Sequence, residues 1–165
     1  MVDTLPPERQ EYDTENTLAL RQVILRFSEN GNYIDYLGQE GPGGTPFPFI
    51  KNLYTTGNNE IVVICQTTKS HIAFWFSTEG FLKYKIPVTI DSLPRLDKIP
   101  VENQFISLDA VVPDYTYEKL YVKINYQQTA FDSSTRTVSG IDFVESRLYT
   151  LDLEKKSYVN PLIIP

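Results

Sequence analysis

Apolar and polar residues alternate with a period of two along most of the chain. Val23, Leu25 and Phe27, for example, fall on one face of an extended strand. Such alternation, bounded by Gly, Pro, Asn or Asp, predicts half-buried β-strands. The predicted strands cover residues 22–27, 33–37, 49–54, 60–67, 71–76, 81–86, 104–112, 119–127, 147–153 and 158–164. No segment has a convincing helical period, so the sequence predicts an all-β fold.

Two of the predicted strands are apolar without alternation. Residues 61–65 and 71–76 are almost continuously hydrophobic, whereas residues 81–86 alternate apolar side chains with Lys83 and Lys85. A continuous apolar run indicates a strand covered on both faces, and alternation indicates one exposed face. Doubly buried inner strands beside a half-exposed outer strand are what a four-stranded sheet stacked between neighbours requires.

The chain also repeats a short motif. Phe27-Ser28-Glu29-Asn30-Gly31 returns as Phe76-Ser77-Thr78-Glu79-Gly80, an offset of 49 residues. A fixed period of about 40–50 residues built from short strands is typical of propeller blades and related arrays. Each copy predicts a tight hairpin turn, because its Gly supplies the positive φ that such a turn needs.

The strand, Phe-Ser-x-x-Gly turn, strand, Leu-Gly step and Gly/Pro-rich crossing resemble NHL-type β-propeller repeats. Residues 23–67 carry the clearest likeness, and residues 36–49 also resemble stretches of uncharacterised spirochaete lipoproteins of propeller type. The resemblance implies a propeller-like fold whose loops form a binding surface. It also implies a location in the cell envelope or periplasm, which the residues themselves do not specify.

These patterns predict a domain plan of about two and a half four-stranded antiparallel propeller-like blades. Residues 1–17 are polar and predict a flexible lead-in. The remainder, 18–165, is expected to form one all-β repeat domain. Within it lie a half blade at 22–37 and full blades at 49–86 and 104–164. A β-sandwich or a small open barrel is the alternative fold.

Three segments between the strands lack strand character. Residues 38–48 are rich in Gly and Pro and predict an irregular connector. Residues 88–103 predict a longer crossover, although their apolar spacing would also suit one helical turn. Residues 129–140 are mostly Ser, Thr and Asp, and predict an exposed loop inserted between strands.

A partial propeller has a physical consequence. A closed propeller needs at least four blades, and each blade buries its faces only against its neighbours. Two and a half blades therefore leave apolar sheet faces open to water. The sequence predicts that this stretch is part of a larger protein or that copies self-associate through their open blade faces.

Charge, hydropathy and cysteine content argue against nucleic-acid binding, a membrane span and a reactive thiol. With 15 Lys and Arg against 21 Asp and Glu, the net charge of −6 weighs against nucleic-acid binding. No stretch is apolar enough for a predicted membrane span. Cys65 is the single cysteine and lies in an apolar run, which predicts a buried, unreactive thiol. We expect no cofactor.

Catalytic candidates are few. His71 is the single histidine, so a His-rich metal site is excluded and a packing or surface role is expected. Asp109 interrupts an apolar strand and Asp114 follows on the adjoining turn. If both lined a propeller channel, two carboxyl groups could hydrolyse a glycosidic bond. The simpler interpretation is that Asp109 caps a turn or accepts backbone hydrogen bonds and that Asp114 starts a Pro-Asp turn.

Four aromatic residues flank predicted loops: Phe47, Phe49, Tyr115 and Tyr117. With Asp109 and Asp114 they form the candidate binding set, because exposed aromatic residues beside polar groups suit protein or carbohydrate ligands. The sequence therefore favours a non-enzymatic binding module. The alternative is a carbohydrate-active hydrolase of propeller type that uses inner-strand carboxylates.

Overall fold

A computed structural model describes residues 1–164, and it is built from strands with three short 3₁₀ helices. The strands are β1 (Val2–Thr4), β2 (Glu11–Asp13), β3 (Leu18–Leu20), β4 (Gln22–Phe27), β5 (Tyr33–Gly38), β6 (Gly41–Pro42), β7 (Phe49–Thr55), β8 (Ile61–Gln66), β9 (Ser70–Phe76), β10 (Leu82–Thr89), β11 (Gln104–Pro113), β12 (Lys119–Asp132), β13 (Thr137–Asp152) and β14 (Ser157–Ile164). The 3₁₀ helices are Pro7–Arg9, Ile90–Ser92 and Val101–Asn103. The predicted all-β class is confirmed.

The chain divides into two compact units, Met1–Val88 and a second that begins at Thr89. The first unit holds two four-stranded sheets, β1-β4-β5-β6 and β10-β9-β8-β7, together with the β2-β3 hairpin. The second unit holds the sheet β11-β12-β13-β14. The sheets are antiparallel, as predicted, and agree with a partial propeller-like or a sandwich arrangement.

The first sheet is larger than the half blade expected at 22–37. Backbone pairing of Val2 with Ile24 adds β1 at one edge, and β6 pairs with the end of β5 at the other. Residues 1–17, the expected lead-in, thus contain β1, β2 and a 3₁₀ helix. All three residues of β1 are exposed, so this edge strand leaves no apolar pattern in the sequence.

Both copies of the Phe-Ser-x-x-Gly motif form the same turn. The amide of Gly31 donates to the carbonyl of Ser28, and the amide of Gly80 donates to the carbonyl of Ser77, each at 2.9 Å. Each serine hydroxyl accepts a second bond from the amide after the glycine, at 3.1 and 3.2 Å. Both glycines have positive φ, 80° and 91°. The motif therefore specifies one hairpin turn in two sheets.

The core of the first unit lies between its two sheets. The buried cluster combines Ile24, Leu37, Phe47, Ile50, Val63, Cys65, Phe74 and Phe76. Phe47 makes edge-to-face contacts with the rings of Phe74 and Phe76, at centroid distances of 5.1 and 6.2 Å. Its backbone amide donates to the carbonyl of Gln22 at 2.6 Å, which anchors it beside the first sheet.

The Gly/Pro-rich connector at 38–48 folds back on itself. It contains the two-residue strand β6, which the sequence did not predict. A Cβ at Gly38 would lie 2.3 Å from the carbonyl carbon of Gly44, closer than a Cβ atom can approach. Glycine at position 38 is therefore required by backbone contact within the connector.

In the second unit, the inner face of the sheet is covered by residues 90–103. The segment is a crossover, as predicted, and it contains two 3₁₀ helices where the apolar spacing suggested one helical turn. The Gln104 side chain accepts from the amide of Leu96 at 2.8 Å and donates to the carbonyls of Leu96 and Ile99. The hydroxyl of Tyr126 donates to the carbonyl of Pro94 at 2.6 Å. These bonds fix the crossover over the sheet.

The prediction of a loop at residues 129–140 is wrong, because most of these residues belong to strands. Strands β12 and β13 continue through this region and form a long hairpin whose turn spans only residues 133–136. Strand β11 pairs with β12 up to Gln128, and β14 pairs with β13 only between Ser146 and Asp152. The end of the hairpin, residues 129–143, therefore extends beyond its sheet neighbours. We call this segment the arm.

Candidate functional site

The arm has one apolar face. Cross-strand pairing places Phe131 opposite Val138, and Thr129 opposite Ile141. At the base of the arm, Phe143 lies opposite Gln127. Directly paired residues share a sheet face, and alternate residues of a strand return to it. We call the four apolar side chains, Phe131, Val138, Ile141 and Phe143, the arm face.

The opposite face of the arm is polar or small. It carries the pairs Gln128–Asp142, Ala130–Gly140 and Asp132–Thr137. In the body of the sheet the polarity is reversed. There the inner-facing residues of β12 are buried and apolar, and its outward-facing residues are Tyr121, Lys123, Asn125 and Gln127. The apolar side of the hairpin therefore changes from the inner face to the outer face at Gln127.

The arm face is open to solvent. Its four side chains are 55–63% exposed. Phe105 of β11, which pairs with Gln127 of β12, extends the same face and is 44% exposed. A contiguous apolar patch on the surface of a folded protein is typical of an interaction surface, whereas single exposed apolar residues are ordinary. The change of apolar side at Gln127 indicates that these residues are not a continuation of the protein's own core.

Two β-bulges set this geometry. The pairing shifts between Ala130 and Phe131, which leaves Ser139 as the extra residue, and again between Tyr126 and Gln127, which leaves Val144 extra. The hydroxyl of Ser139 donates to the carbonyl of Ala130 at 3.3 Å. Each bulge reverses the parity of β13. The bulge at Ser139 brings Val138 and Ile141 to one face although they are three residues apart, and the bulge at Val144 changes the face between the arm and the body of the sheet.

The candidate residue Asp109 lies at a bulge in β11, where the pairing shifts between Leu108 and Ala110. Its carboxylate forms an ion pair with the Lys123 ammonium at 2.9 Å, and both side chains are partly exposed. The expected backbone hydrogen bonds to Asp109 are replaced by this cross-strand ion pair. Partly exposed pairs of this kind contribute little to stability.

Asp114 starts the turn between β11 and β12, as predicted. Its Oδ1 accepts bonds from the amides of Thr116 and Tyr117, each at 2.7 Å, and its Oδ2 accepts from the hydroxyl of Tyr121 at 2.5 Å. The bond from Tyr121 and the two amides lower the pKa of Asp114. The turn holds Tyr115 with its side chain largely exposed. Asp114 therefore has a defined structural role.

The other candidate tyrosine of this turn, Tyr117, is also largely exposed. The Lys119 ammonium lies 5.2 Å from the centroid of its ring, within the range of a cation–π contact. The structure therefore brings Asp114, Tyr115 and Tyr117 together on one turn of the second unit.

Phe47 and Phe49 belong to the first unit and have opposite environments. Phe47 is fully buried in the core, so it offers no surface to a ligand. Phe49 is 60% exposed and lines a cleft of about 340 Å³ together with Thr4, Arg21 and Pro48. Of this pair, Phe49 alone is placed to contact a ligand.

A larger and more polar cleft of about 540 Å³ lies between the Pro7–Arg9 helix and the glycine-rich connector. Its walls include Tyr36, with the Arg9 guanidinium 6.0 Å from the ring centroid, and Glu40. The Glu40 carboxylate already accepts bonds from the amide and hydroxyl of Thr45, at 2.7 and 2.9 Å. These contacts explain the shape of the connector, and the sequence did not predict the cleft.

His71 and Cys65 have buried side chains. Burial and the positive charge of Lys51 lower the pKa of His71, and its Nδ1 has no hydrogen-bond partner among residues 1–164. Burial raises the pKa of the Cys65 thiol, so the prediction of a buried thiol is confirmed. Cys65 belongs to the core cluster of the first unit, and the side chain of His71 is 3% exposed.

Residues 1–164 offer neither a metal cluster nor a membrane-spanning helix. Within this range no group of three or more His, Cys, Asp and Glu side chains is arranged to hold a metal ion. No helix in the same range has the length and hydropathy needed to cross a bilayer.

Comparison of the chain with protein-family models, with curated proteins and with solved structures found no match.

Proposed function

We propose that the chain is a non-enzymatic interaction module, built on blade-like antiparallel sheets, that binds a protein partner through the arm face. One observation carries the proposal: the hairpin exposes a continuous apolar face in the same segment where its other face becomes polar. Burial of such a face against a partner recovers the hydrophobic free energy that exposure forgoes. The resemblance to NHL-type repeats supports the same class of function.

The chemistry of the arm face favours a protein over a carbohydrate. Gln127 and Thr129 are the polar residues within its cross-strand rows, and the rest of the surface is aliphatic or aromatic. Carbohydrate sites combine an aromatic platform with several converging hydrogen-bonding groups, whereas the centres of protein interfaces are rich in Phe and depleted of charge.

The carboxylates considered for hydrolysis give no support to the alternative function. Asp109 is paired with Lys123 on the neighbouring strand. Asp114 is engaged by two backbone amides and a tyrosine hydroxyl. Both contacts are those of structural residues in a strand and a turn.

A photoreactive phenylalanine analogue at position 143 tests the proposal. The full chain carrying it is irradiated with an extract of the cells that produce the protein, and adducts are identified by mass spectrometry. The matched control carries the analogue at Phe81, which is 64% exposed, similar to Phe143 at 62%. We expect a saturable protein adduct at 143 that Phe131→Asp reduces. Equal adduct yields at positions 143 and 81 would contradict the proposal.

A further inference from the structure

We infer that the partner of the arm face is a second copy of this chain, whose own arm face packs against it about a two-fold axis. This inference rests on the interaction module proposed above and specifies its partner. Two-fold dimers use the same surface on both copies, so the surface must be complementary to itself. Charge and residue order meet that requirement, and the available area sets the expected strength of the contact.

Charge permits the contact. Two copies of a chain with net charge −6 repel each other, and a self-association surface must therefore be free of acidic groups. The arm face and its cross-strand rows contain no charged side chain. The two acidic residues of the arm, Asp132 and Asp142, lie on the opposite face of the hairpin. The arm face can thus meet its own copy without burying like charges.

The order of residues along the arm is also self-complementary. Phe143 lies at the base, Ile141 in the middle, and Phe131 with Val138 near the tip. A two-fold axis through the middle of the arm brings Ile141 against Ile141 of the second copy. When the axis lies in the plane of the face and is oblique to the strands, it also brings Phe131 of one copy against Phe143 of the other. Aromatic pairs at both ends then contribute contact energy beyond the area that they bury.

The available area suits a reversible dimer. From their exposed fractions, the arm face and Phe105 offer roughly 600 Å² per copy, somewhat below the ~800 Å² that each partner contributes to a standard interface. Interfaces at the low end of this range are weak or transient. We therefore expect a monomer–dimer equilibrium rather than a permanent dimer.

Analytical ultracentrifugation of the full chain over a concentration series tests this inference. We expect the weight-average mass to rise towards that of a dimer, and to rise further when added salt screens the net charge. Phe143→Asp should weaken dimerisation at least about 30-fold, the effect of losing an interface hot spot. Phe81→Asp is the matched control, the same exchange at a similarly exposed phenylalanine, and should leave the equilibrium unchanged.

Cysteine cross-linking tests the geometry. Ile141→Cys places a thiol on the proposed two-fold axis, and Cys65 is buried and does not compete. Under a mild oxidant, Ile141→Cys should form a covalent dimer much faster than Phe81→Cys. Circular dichroism confirms that each variant is folded.

Three results would overturn the inference: a monomer at every concentration, a dimer that Phe143→Asp leaves intact, or equal cross-linking at positions 141 and 81. A monomer that still forms an adduct with another protein at position 143 would refute the second copy as partner but leave the interaction module standing. The two proposals therefore fail separately.

Discussion

Arg26 donates a hydrogen bond of 3.2 Å from Nη1 to the backbone carbonyl of Glu79. The contact joins the strand before the first Ser-x-x-Gly turn to the second turn of the same type. Asp35 holds the guanidinium in place through two bonds, at 2.6 and 2.7 Å. The two repeated hairpins of the first unit are therefore connected through one side chain of the earlier copy.

This contact predicts different costs for the same substitution in the two turns. Both Gly31→Ala and Gly80→Ala place alanine at positive φ, which costs roughly 1–2 kcal/mol. A Cβ at Gly31 meets open space, but one at Gly80 would lie 2.6 Å from Nη1 of Arg26. Because Asp35 fixes that side chain, we expect Gly80→Ala to cost about 1–3 kcal/mol more.

Urea denaturation of both variants measures the difference. Arg26→Ala provides the control. In its background the contact with Arg26 is gone and Leu37 Cδ2, 3.0 Å from the new Cβ, is the remaining close neighbour, so the difference between the two alanine substitutions should shrink. Equal costs in the wild-type background would show that Arg26 moves freely and that the connection is weak.

The two phenylalanines beside Pro48 give a second prediction. Phe47→Ala should destabilise the protein by about 3–5 kcal/mol, because it opens a cavity between the sheets of the first unit. Phe49→Ala changes a largely exposed side chain and should alter stability by no more than about 0.5 kcal/mol. Thermal or urea unfolding distinguishes the two. A large loss in Phe49→Ala would show that Phe49 packs in the core in solution.

His71 predicts acid sensitivity. Burial and the positive charge of Lys51 lower its pKa in the folded protein, whereas a histidine in the unfolded chain has a pKa of about 6.5. Below that pH the unfolded chain binds more protons than the folded one, so stability falls as the pH drops, until the folded histidine also becomes protonated.

His71→Gln removes this contribution, so its stability should decline less than that of the wild type between about pH 7 and pH 5. The measurement is the midpoint of urea unfolding across that range, taken as the difference between the two proteins. Parallel pH profiles would mean that the pKa of His71 is the same in the folded and unfolded states.

Local sequence signals predicted the turns well and the arm poorly. The Phe-Ser-x-x-Gly motif identifies its turn because a serine hydroxyl and a glycine with positive φ are both local requirements. In the arm, the bulges at Ser139 and Val144 break the period-2 pattern of β13. Its strands therefore resemble a polar loop in sequence, although cross-strand pairing gives them a continuous apolar face.

The candidate residues Phe47 and Phe49 also show where prediction from local sequence patterns fails. Phe47 and Phe49 are two residues apart, as on one face of a strand, yet one is buried and the other exposed. The alternation rule fails because Phe47 precedes β7 and pairs instead with Gln22. That pairing joins residues 25 positions apart, and no local pattern in the sequence specifies it. The residues of the arm face were missed for a different reason, because the bulges of β13 interrupt their alternation within a local hairpin.

The outer edge of the arm has a consequence for assembly. Between Thr137 and Glu145, β13 pairs with β12 on one side and with no strand of the described chain on the other. A strand edge that is long, flat and uninterrupted would template open-ended fibril growth. In the arm, the bulges at Ser139 and Val144, the missing side chain at Gly140 and the charge of Asp142 interrupt the edge. The arm thus combines an exposed apolar face with an edge that is poorly suited to amyloid-like extension.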